Sequence, residues 1–180
     1  MTTRSAFLDA LAAPGPAPDR QTGLQLYAFL VGSWSLEARY PLPDGSSLHS
    51  RGEVHAGWVL EGRAIQDVWI VPARGLPRGQ LPAAAEFYGT TLRLYDPGLD
   101  AWHILWSDPM RQVYRRQLGR AEGPDIVQHG TDDQGAQVRW SFRDRTQDSF
   151  RWWGERSADG GVTWTFVVEY LARRTAPGPT

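Results

Sequence analysis

The amino-acid sequence predicts an all-β protein built as a single antiparallel up-and-down (meander) β-barrel of about ten strands. Three observations predict this fold. Short segments of alternating apolar and polar residues fill the chain from residue 34 to residue 173, turn residues separate most of these segments, and aromatic residues recur throughout them. Short links favour pairing of each strand with the next one along the chain. A barrel of this size can enclose one small molecule.

The chain before the barrel is predicted to form one or two short helices. Residues 5–12 carry apolar side chains on one side, and the Pro/Gly/Ala-rich stretch 13–17 then breaks the helix. A second helix is expected from Asp19, a suitable N-cap residue, to Gly32, a suitable stop. We therefore predict an N-terminal arm over residues 1–18, a barrel domain over 19–174 and a disordered tail over 175–180.

Ten segments after this helix have the alternation of half-buried strands. Turn sequences such as Pro-Asp-Gly, Asp-Pro-Gly and Asp-Gly-Gly lie between most of them. The predicted strands cover residues 34–40, 47–59, 63–71, 87–95, 101–107, 112–118, 125–130, 137–143, 149–156 and 163–172.

One link is much longer than the others. Residues 72–86 contain three prolines, two glycines and a run of three alanines between two predicted strands. A long Pro-rich insertion in a tight meander is either a disordered loop or a lid over the barrel mouth. We favour the lid.

The composition excludes several kinds of chemistry. The chain of 180 residues has neither Lys nor Cys, which excludes lysine Schiff bases, cysteine nucleophiles, thiolate-bound iron–sulfur clusters and disulfides. With 19 basic and 20 acidic residues there is no basic excess, so no nucleic-acid partner is expected. The first residues lack the pattern of a secretory signal, and no apolar run reaches membrane-span length, so we expect no membrane partner and a cytoplasmic protein.

Two motifs carry resemblances to known families. Residues 157–164 read Ser-Ala-Asp-Gly-Gly-Val-Thr-Trp, which resembles the Asp box of sialidase propellers. That resemblance implies a folding role for Asp159 and Trp164 and no catalysis; with one copy, a propeller is not expected. Gly32-Ser33-Trp34 resembles the Gly-x-Trp near the start of lipocalin-type barrels, where the Trp plugs the closed end.

Together with the preceding helix, the ten-strand meander and the terminal Tyr170-Leu171-Ala172-Arg173, this makes residues 24–174 similar to a calycin-like group of uncharacterised bacterial barrels. That group is distantly similar to nitrobindin and to fatty-acid-binding barrels. The resemblance implies an internal cavity and no established chemistry. It also implies one alternative cofactor, a haem held by a lone His. Nitrobindins place that ligand late in the chain, however, and no His follows His129.

No other cofactor and no metal site is expected. The four histidines His49, His55, His103 and His129 are scattered, and no two have the spacing of ligands on one strand. The Gly-x-Ser-x-Gly elbow of serine hydrolases and the Gly-rich phosphate loops followed by a helix do not occur either.

Asp67 and Glu155 are the candidate catalytic residues, because carboxylates among aromatic residues can act as general acids or bases. Alternation places Asp67 on one face with Arg63 and Trp69, and Glu155 on one face with Arg151 and Trp153. The alternative for each is an exterior face on which Arg and Glu pair across strands. The candidate ligand-binding residues are Trp69, Tyr88, His103, Trp106, Tyr114, Trp140 and Trp153. Trp152 and Trp153 must face opposite sides of the sheet, and the sequence leaves open which one is internal.

Three functions follow from this fold. The first is a carrier or sensor that binds a small hydrophobic or aromatic molecule by stacking on tryptophans. The second is a cofactor-free isomerase, cyclase or lyase in which Asp67 or Glu155 moves a proton, with Tyr114 or His103 as its partner. The third is a filled barrel whose aromatic outer face binds another protein or a second copy of the chain as a homodimer.

Overall fold

The protein is a closed barrel of ten antiparallel strands, shown by a computed structural model that describes residues 5–175. Each strand pairs with the next one in the chain, and the last pairs with the first, which confirms the predicted meander barrel. The strands are β1 (Gly32–Pro41), β2 (Ser47–Val59), β3 (Ala64–Val71), β4 (Phe87–Asp96), β5 (Ala101–Asp108), β6 (Val113–Glu122), β7 (Asp125–Thr131), β8 (Gln137–Arg143), β9 (Ser149–Ser157) and β10 (Thr165–Arg174).

Two short helices precede the barrel, as predicted. Helix α1 spans Ala6–Leu11, and α2 spans Gln21–Ala28 directly after a 3₁₀ turn at Pro18–Arg20. Asp19 lies in that turn and is not the N-cap of α2; its carboxylate accepts a hydrogen bond from Arg63 at 2.9 Å instead. Within the described part of the chain, no helix has the length and apolar character needed to cross a membrane.

The N-terminal arm runs along the barrel. The backbone N–H of Ala13 donates to the carbonyl of Trp58 at 2.9 Å, and that of Leu60 donates to the carbonyl of Leu11 at 3.0 Å. The first four residues of the predicted arm, and residues 176–180 of the predicted tail, lie outside the described residues.

Helix α2 closes one end of the barrel. Leu24, Tyr27 and Leu30 are fully buried there, and the Tyr27 ring packs on Trp102 with centroids 4.8 Å apart. Trp34 is buried at the same end and donates from its indole N–H to the carbonyl of Leu30 at 2.8 Å. This burial agrees with the plugging role that the lipocalin-type resemblance implies. Within residues 5–175, no helix plugs the other end of the barrel.

Candidate functional site

A cavity of about 490 Å³ opens at the end of the barrel opposite α2. Its volume falls within the range of small-molecule sites, roughly 300–1,000 Å³. Side chains from all ten strands surround it, and the segment 72–86 contributes to its rim. The lining includes Tyr40, Trp69, Phe87, Thr91, Arg93, Ile104, Trp106, Arg111, Arg115, Gln117, Gln128, Asp132, Val138, Trp140, Trp152, Arg156, Val168 and Tyr170.

Aromatic rings form one wall of the cavity. Trp140 and Trp152 are almost parallel, with centroids 5.7 Å apart and an interplanar angle of 10°. Trp69 packs on Trp152 at 5.2 Å and on Tyr170 at 6.0 Å, so these rings continue the wall across the barrel. Such a wall offers flat apolar faces to a ligand.

Glycines on neighbouring strands give two of these tryptophans their space. A Cβ atom on Gly154, which pairs with Trp140, would lie 2.0 Å from the Trp140 ring. A Cβ atom on Gly89 would lie 2.4 Å from the ring of Trp106. Each indole therefore lies over bare backbone, which leaves the middle of the barrel open.

The floor of the cavity is polar. Arg93 and Asp67 form a buried ion pair, with Nε of Arg93 2.7 Å from Oδ2 of Asp67 and side-chain exposures of 1% and 0%. Nη1 of Arg93 donates to Oε1 of Gln128, and the Tyr27 hydroxyl donates to the same oxygen at 3.3 Å. Burial raises the pKa of Tyr27, so this hydroxyl stays protonated. The network joins the cavity to the helix that closes the barrel.

Two further arginines in the cavity lining are paired with aspartates. Arg111 is paired with the buried Asp108, and Nε of Arg156 lies 2.6 Å from Oδ2 of Asp132. The hydrogen bond from Arg156 lowers the pKa of Asp132, so this carboxylate is ionised at neutral pH. These carboxylates are thus partners of arginines.

Residues 72–86 form an ordered cover over part of the mouth, which we call the lid segment. Ala84 and Ala85, in a 3₁₀ turn at Ala83–Ala85, line the cavity. Nη1 of Arg111 donates to the carbonyl of Ala84 at 2.6 Å, and the Tyr40 hydroxyl donates to the carbonyl of Ala85 at 3.3 Å. Glu86 accepts hydrogen bonds from three backbone N–H groups, those of residues 79 to 81. The placement supports the lid over the disordered loop.

Four of the predicted site residues lie on the inner side of the barrel. Trp69, Trp106 and Trp140 line the cavity, where they face its centre. Asp67 lies below the cavity, and besides Arg93 it accepts a hydrogen bond from the backbone N–H of Thr91 at 3.2 Å. Its carboxylate is therefore already occupied by the protein.

The other five predicted residues face outward, so the candidate site does not include them. Glu155 accepts hydrogen bonds from Arg139 at 2.8 Å and Arg143 at 3.1 Å, which is the cross-strand pairing that the alternative interpretation describes. The others are Trp153, stacked on Phe166 at 4.2 Å, His103, bonded to Asp96 at 3.1 Å, and the exposed Tyr88 and Tyr114. A strand's successive side chains face opposite sides, so each lies one position away from an inward residue.

Several lining residues were not predicted, notably Trp152, Tyr170, Arg93, Gln128 and Arg115. The choice between Trp152 and Trp153 depends on register: Trp152 pairs with Phe142 and Tyr170, which share its inner face. A usable signal was the Gly at position 154. Gly154 lies two residues after Trp152 and therefore on the same face of the strand, and it pairs with Trp140. A glycine paired with a tryptophan indicates close packing on that face.

The Asp box forms a closed turn. Asp159 accepts hydrogen bonds from the backbone N–H groups of Val162 and Thr163 and from the hydroxyls of Ser157 and Thr163, and Trp164 donates to the carbonyl of Gly161 at 3.0 Å. The hydrogen bonds of Thr163 lower the pKa of Asp159. This geometry supports the folding role.

The cavity does not suit a histidine-ligated haem. Each of the four histidines has the outward register of its strand, and none is among the lining residues. No group of three or more His, Asp or Glu side chains within residues 5–175 is placed to hold a metal ion.

Comparison with known proteins adds evidence on the fold. No family model matches the chain, and no curated protein matches it. Among solved structures, the chain is similar to Rv2717c from M. tuberculosis, with a TM-score of 0.58 and 16% identity over 89% of this chain and 99% of the other. It is also similar to the S-type phycobiliprotein lyase CPES from Guillardia theta, with a TM-score of 0.58 and 11% identity over 88% and 98% of the two chains. Both similarities support a calycin-like barrel fold. At these identities they bear on the fold alone.

Proposed function

We propose that this protein binds one small, largely apolar and planar molecule inside its barrel, as a carrier or a sensor. The observation that carries the proposal is the open cavity of about 490 Å³, whose wall is tryptophan and whose floor is a fixed polar network. Stacking on Trp69, Trp140 and Trp152 would hold the planar body. The floor and rim would orient it through a few polar contacts, as in other small-molecule sites.

Acid–base catalysis is less well supported by this site. A general acid or base needs a carboxyl or hydroxyl that can exchange a proton near neutral pH. Among the described residues, Asp132 in the lining and the buried Asp67 and Asp108, which bind lining arginines, are each paired with an arginine. Burial also raises the pKa values of Tyr40 and Tyr170, which keeps both hydroxyls protonated.

The filled-barrel interpretation is also less well supported, because a cavity of this size leaves room for a ligand.

One structural neighbour is a phycobiliprotein lyase, so handling of a bilin is a specific form of the proposal. A bilin belongs in any panel of test ligands, along with smaller aromatic molecules.

The first experiment uses a fluorescent apolar probe, N-phenyl-1-naphthylamine, titrated into the purified protein. We expect saturable binding at one site with energy transfer from the cavity tryptophans. A cavity-filling variant, Val168→Phe, should abolish this binding because Val168 is buried and lines the cavity. The matched control is Leu171→Phe on the same strand, where the side chain is 42% exposed on the outer face.

Two results separate the alternatives. Loss of binding in Val168→Phe with retention in Leu171→Phe places the ligand in the cavity. Absence of binding in the unmodified protein, together with no retained small molecule in native mass spectra of protein from its own host, would overturn the proposal.

A further inference from the structure

The amide of Gln128 has a donor that no other described residue uses. Its Oε1 accepts hydrogen bonds from both Arg93 and Tyr27, which fixes the orientation of the amide. Nε2 must then point away from these two groups, and it has no acceptor among residues 5–175 although Gln128 is 0% exposed. Buried amide N–H groups are nearly always bonded, and Gln128 lines the cavity, so a ligand could supply the missing acceptor.

Arg115 has the most distant carboxylate partner of the arginines that line the cavity. Four arginines line the cavity, and three of them are paired with Asp67, Asp108 or Asp132. Arg115 instead reaches Asp133 at 3.8 Å, and that carboxylate is 64% exposed to solvent. Its Nε is buried and has no acceptor in the described part of the chain. The guanidinium is a strong donor to carboxylates and similar anions.

Both unused groups in the cavity wall are donors, and one of them is charged. They lie on adjacent strands: Gln128 pairs with Gly119 on β6, four residues along that strand from Arg115. At about 3.3 Å per residue the two backbone positions are roughly 13 Å apart along the strand. Backbone positions this far apart favour an elongated ligand with oxygen acceptors at two places.

We propose that the ligand is a planar aromatic anion with its acidic group against Arg115, near the mouth, and a second, carbonyl-like acceptor against Nε2 of Gln128. This inference rests on the proposed function and names the ligand class of the same cavity. The tryptophan wall then holds the aromatic body between the two polar contacts.

The contact between Arg115 and an acidic group is tested with two probes that differ by one sulfonate, 1-anilinonaphthalene-8-sulfonate and neutral N-phenyl-1-naphthylamine. Arg115→Gln should weaken binding of the sulfonate about tenfold, because a hydrogen bond to a charged group is lost, and leave the neutral probe within about twofold. The matched control is Arg116→Gln, which removes the same charge from the next residue, on the outer face. It should change neither affinity by more than about twofold.

The donor at Nε2 of Gln128 is tested with anthraquinone-2-sulfonate, which has two ring carbonyl groups, and anthracene-2-sulfonate, which has none. The unmodified protein should prefer the quinone about fivefold, as one neutral hydrogen bond predicts, and Gln128→Met should abolish this preference. The control is Gln66→Met, because Gln66 faces outward and donates to Thr90 at 3.1 Å. If Gln128→Met does not fold, the test is whether the unmodified protein binds the quinone more tightly than the anthracene probe.

These outcomes separate the two proposals. If none of the four probes binds, the proposed function itself fails. If the probes bind in the cavity but Arg115→Gln affects the sulfonate no more than Arg116→Gln does, or the quinone is not preferred, the cavity binds small molecules and this ligand class is wrong.

Discussion

Asp67 and Glu155 are chemically alike but differ in burial, and their replacement by amides should have very different effects on stability. Asp67→Asn removes the negative charge from an ion pair in which Asp67 is 0% and Arg93 is 1% exposed. Removing one partner of a buried pair costs about 3–5 kcal/mol, because the remaining charge stays buried without compensation. The asparagine can still accept a hydrogen bond, so we expect the lower end, about 3 kcal/mol.

The measurement is equilibrium unfolding in urea, followed by tryptophan fluorescence. In thermal unfolding, the same loss of about 3 kcal/mol corresponds, for a protein of this length, to a fall in Tm of roughly 6–12 °C. The control is Glu155→Gln on the outer face, where the carboxylate is bound by Arg139 and Arg143. Partly exposed ion pairs contribute less, so we expect about 1 kcal/mol there.

A double-mutant cycle tests the physical reason. Arg93→Met alone should also destabilise the barrel, because it leaves Asp67 buried without its cation. Asp67→Asn combined with Arg93→Met should cost at least about 2 kcal/mol less than the sum of the two single changes, because no uncompensated charge remains. Additive effects, or a smaller loss for Asp67→Asn than for Glu155→Gln, would refute the reasoning.

Three further predictions concern the cavity wall, the lid segment and the Asp box. Gly154→Ala should lower the free energy of unfolding in urea by about 1–3 kcal/mol, because the added Cβ would lie 2.0 Å from the Trp140 ring. The control is Gly57→Ala, where an added Cβ meets nothing within 4 Å. The hydrogen bonds from Arg74 lower the pKa of Glu53 from 4.5 to about 2, so the stability that this carboxylate adds is present above about pH 4.5 and is lost as pH falls towards 2. Arg74 belongs to the lid segment and Glu53 to β2, so this pair attaches the lid segment to the barrel. The difference in stability between the unmodified protein and Glu53→Gln should close over that pH range, and a difference that stays constant would contradict this attachment. Asp159→Ala should lower the urea midpoint of unfolding, because the backbone N–H groups of Val162 and Thr163 lose their acceptor; an unchanged midpoint would contradict the folding role.

Much of the barrel could be predicted because its signals are local. The predicted bounds of β2 and β8 coincide with the observed Ser47–Val59 and Gln137–Arg143, since turn residues flank both segments. The end of β6 was predicted four residues too early, at 118, whereas the strand continues to Glu122. Its last residues, Arg-Ala-Glu, show weak alternation and are held by pairing with β7.

The polar floor could not be predicted, because local alternation indicates the wrong face. In β4 the order Leu92-Arg93-Leu94 indicates buried leucines and an exposed arginine. The structure has the reverse: Arg93 is buried, and both leucines are partly exposed. The inward position of Arg93 depends on Asp67, which comes from a neighbouring strand 26 residues earlier in the chain. A single strand contains no information about such a partner.

The sequence by itself determined the number and order of the strands, the closing helix, the Asp-box turn and the absence of lysine and cysteine chemistry. These features depend on periodicity, on turn residues and on composition, which are properties of neighbouring residues. Only the tertiary structure decided which side chains share the cavity. Closure of β1 on β10 fixes one register around the whole barrel. A shift of β9 by one residue would turn Trp153 inward in place of Trp152 and would exchange the inner and outer side chains of that strand.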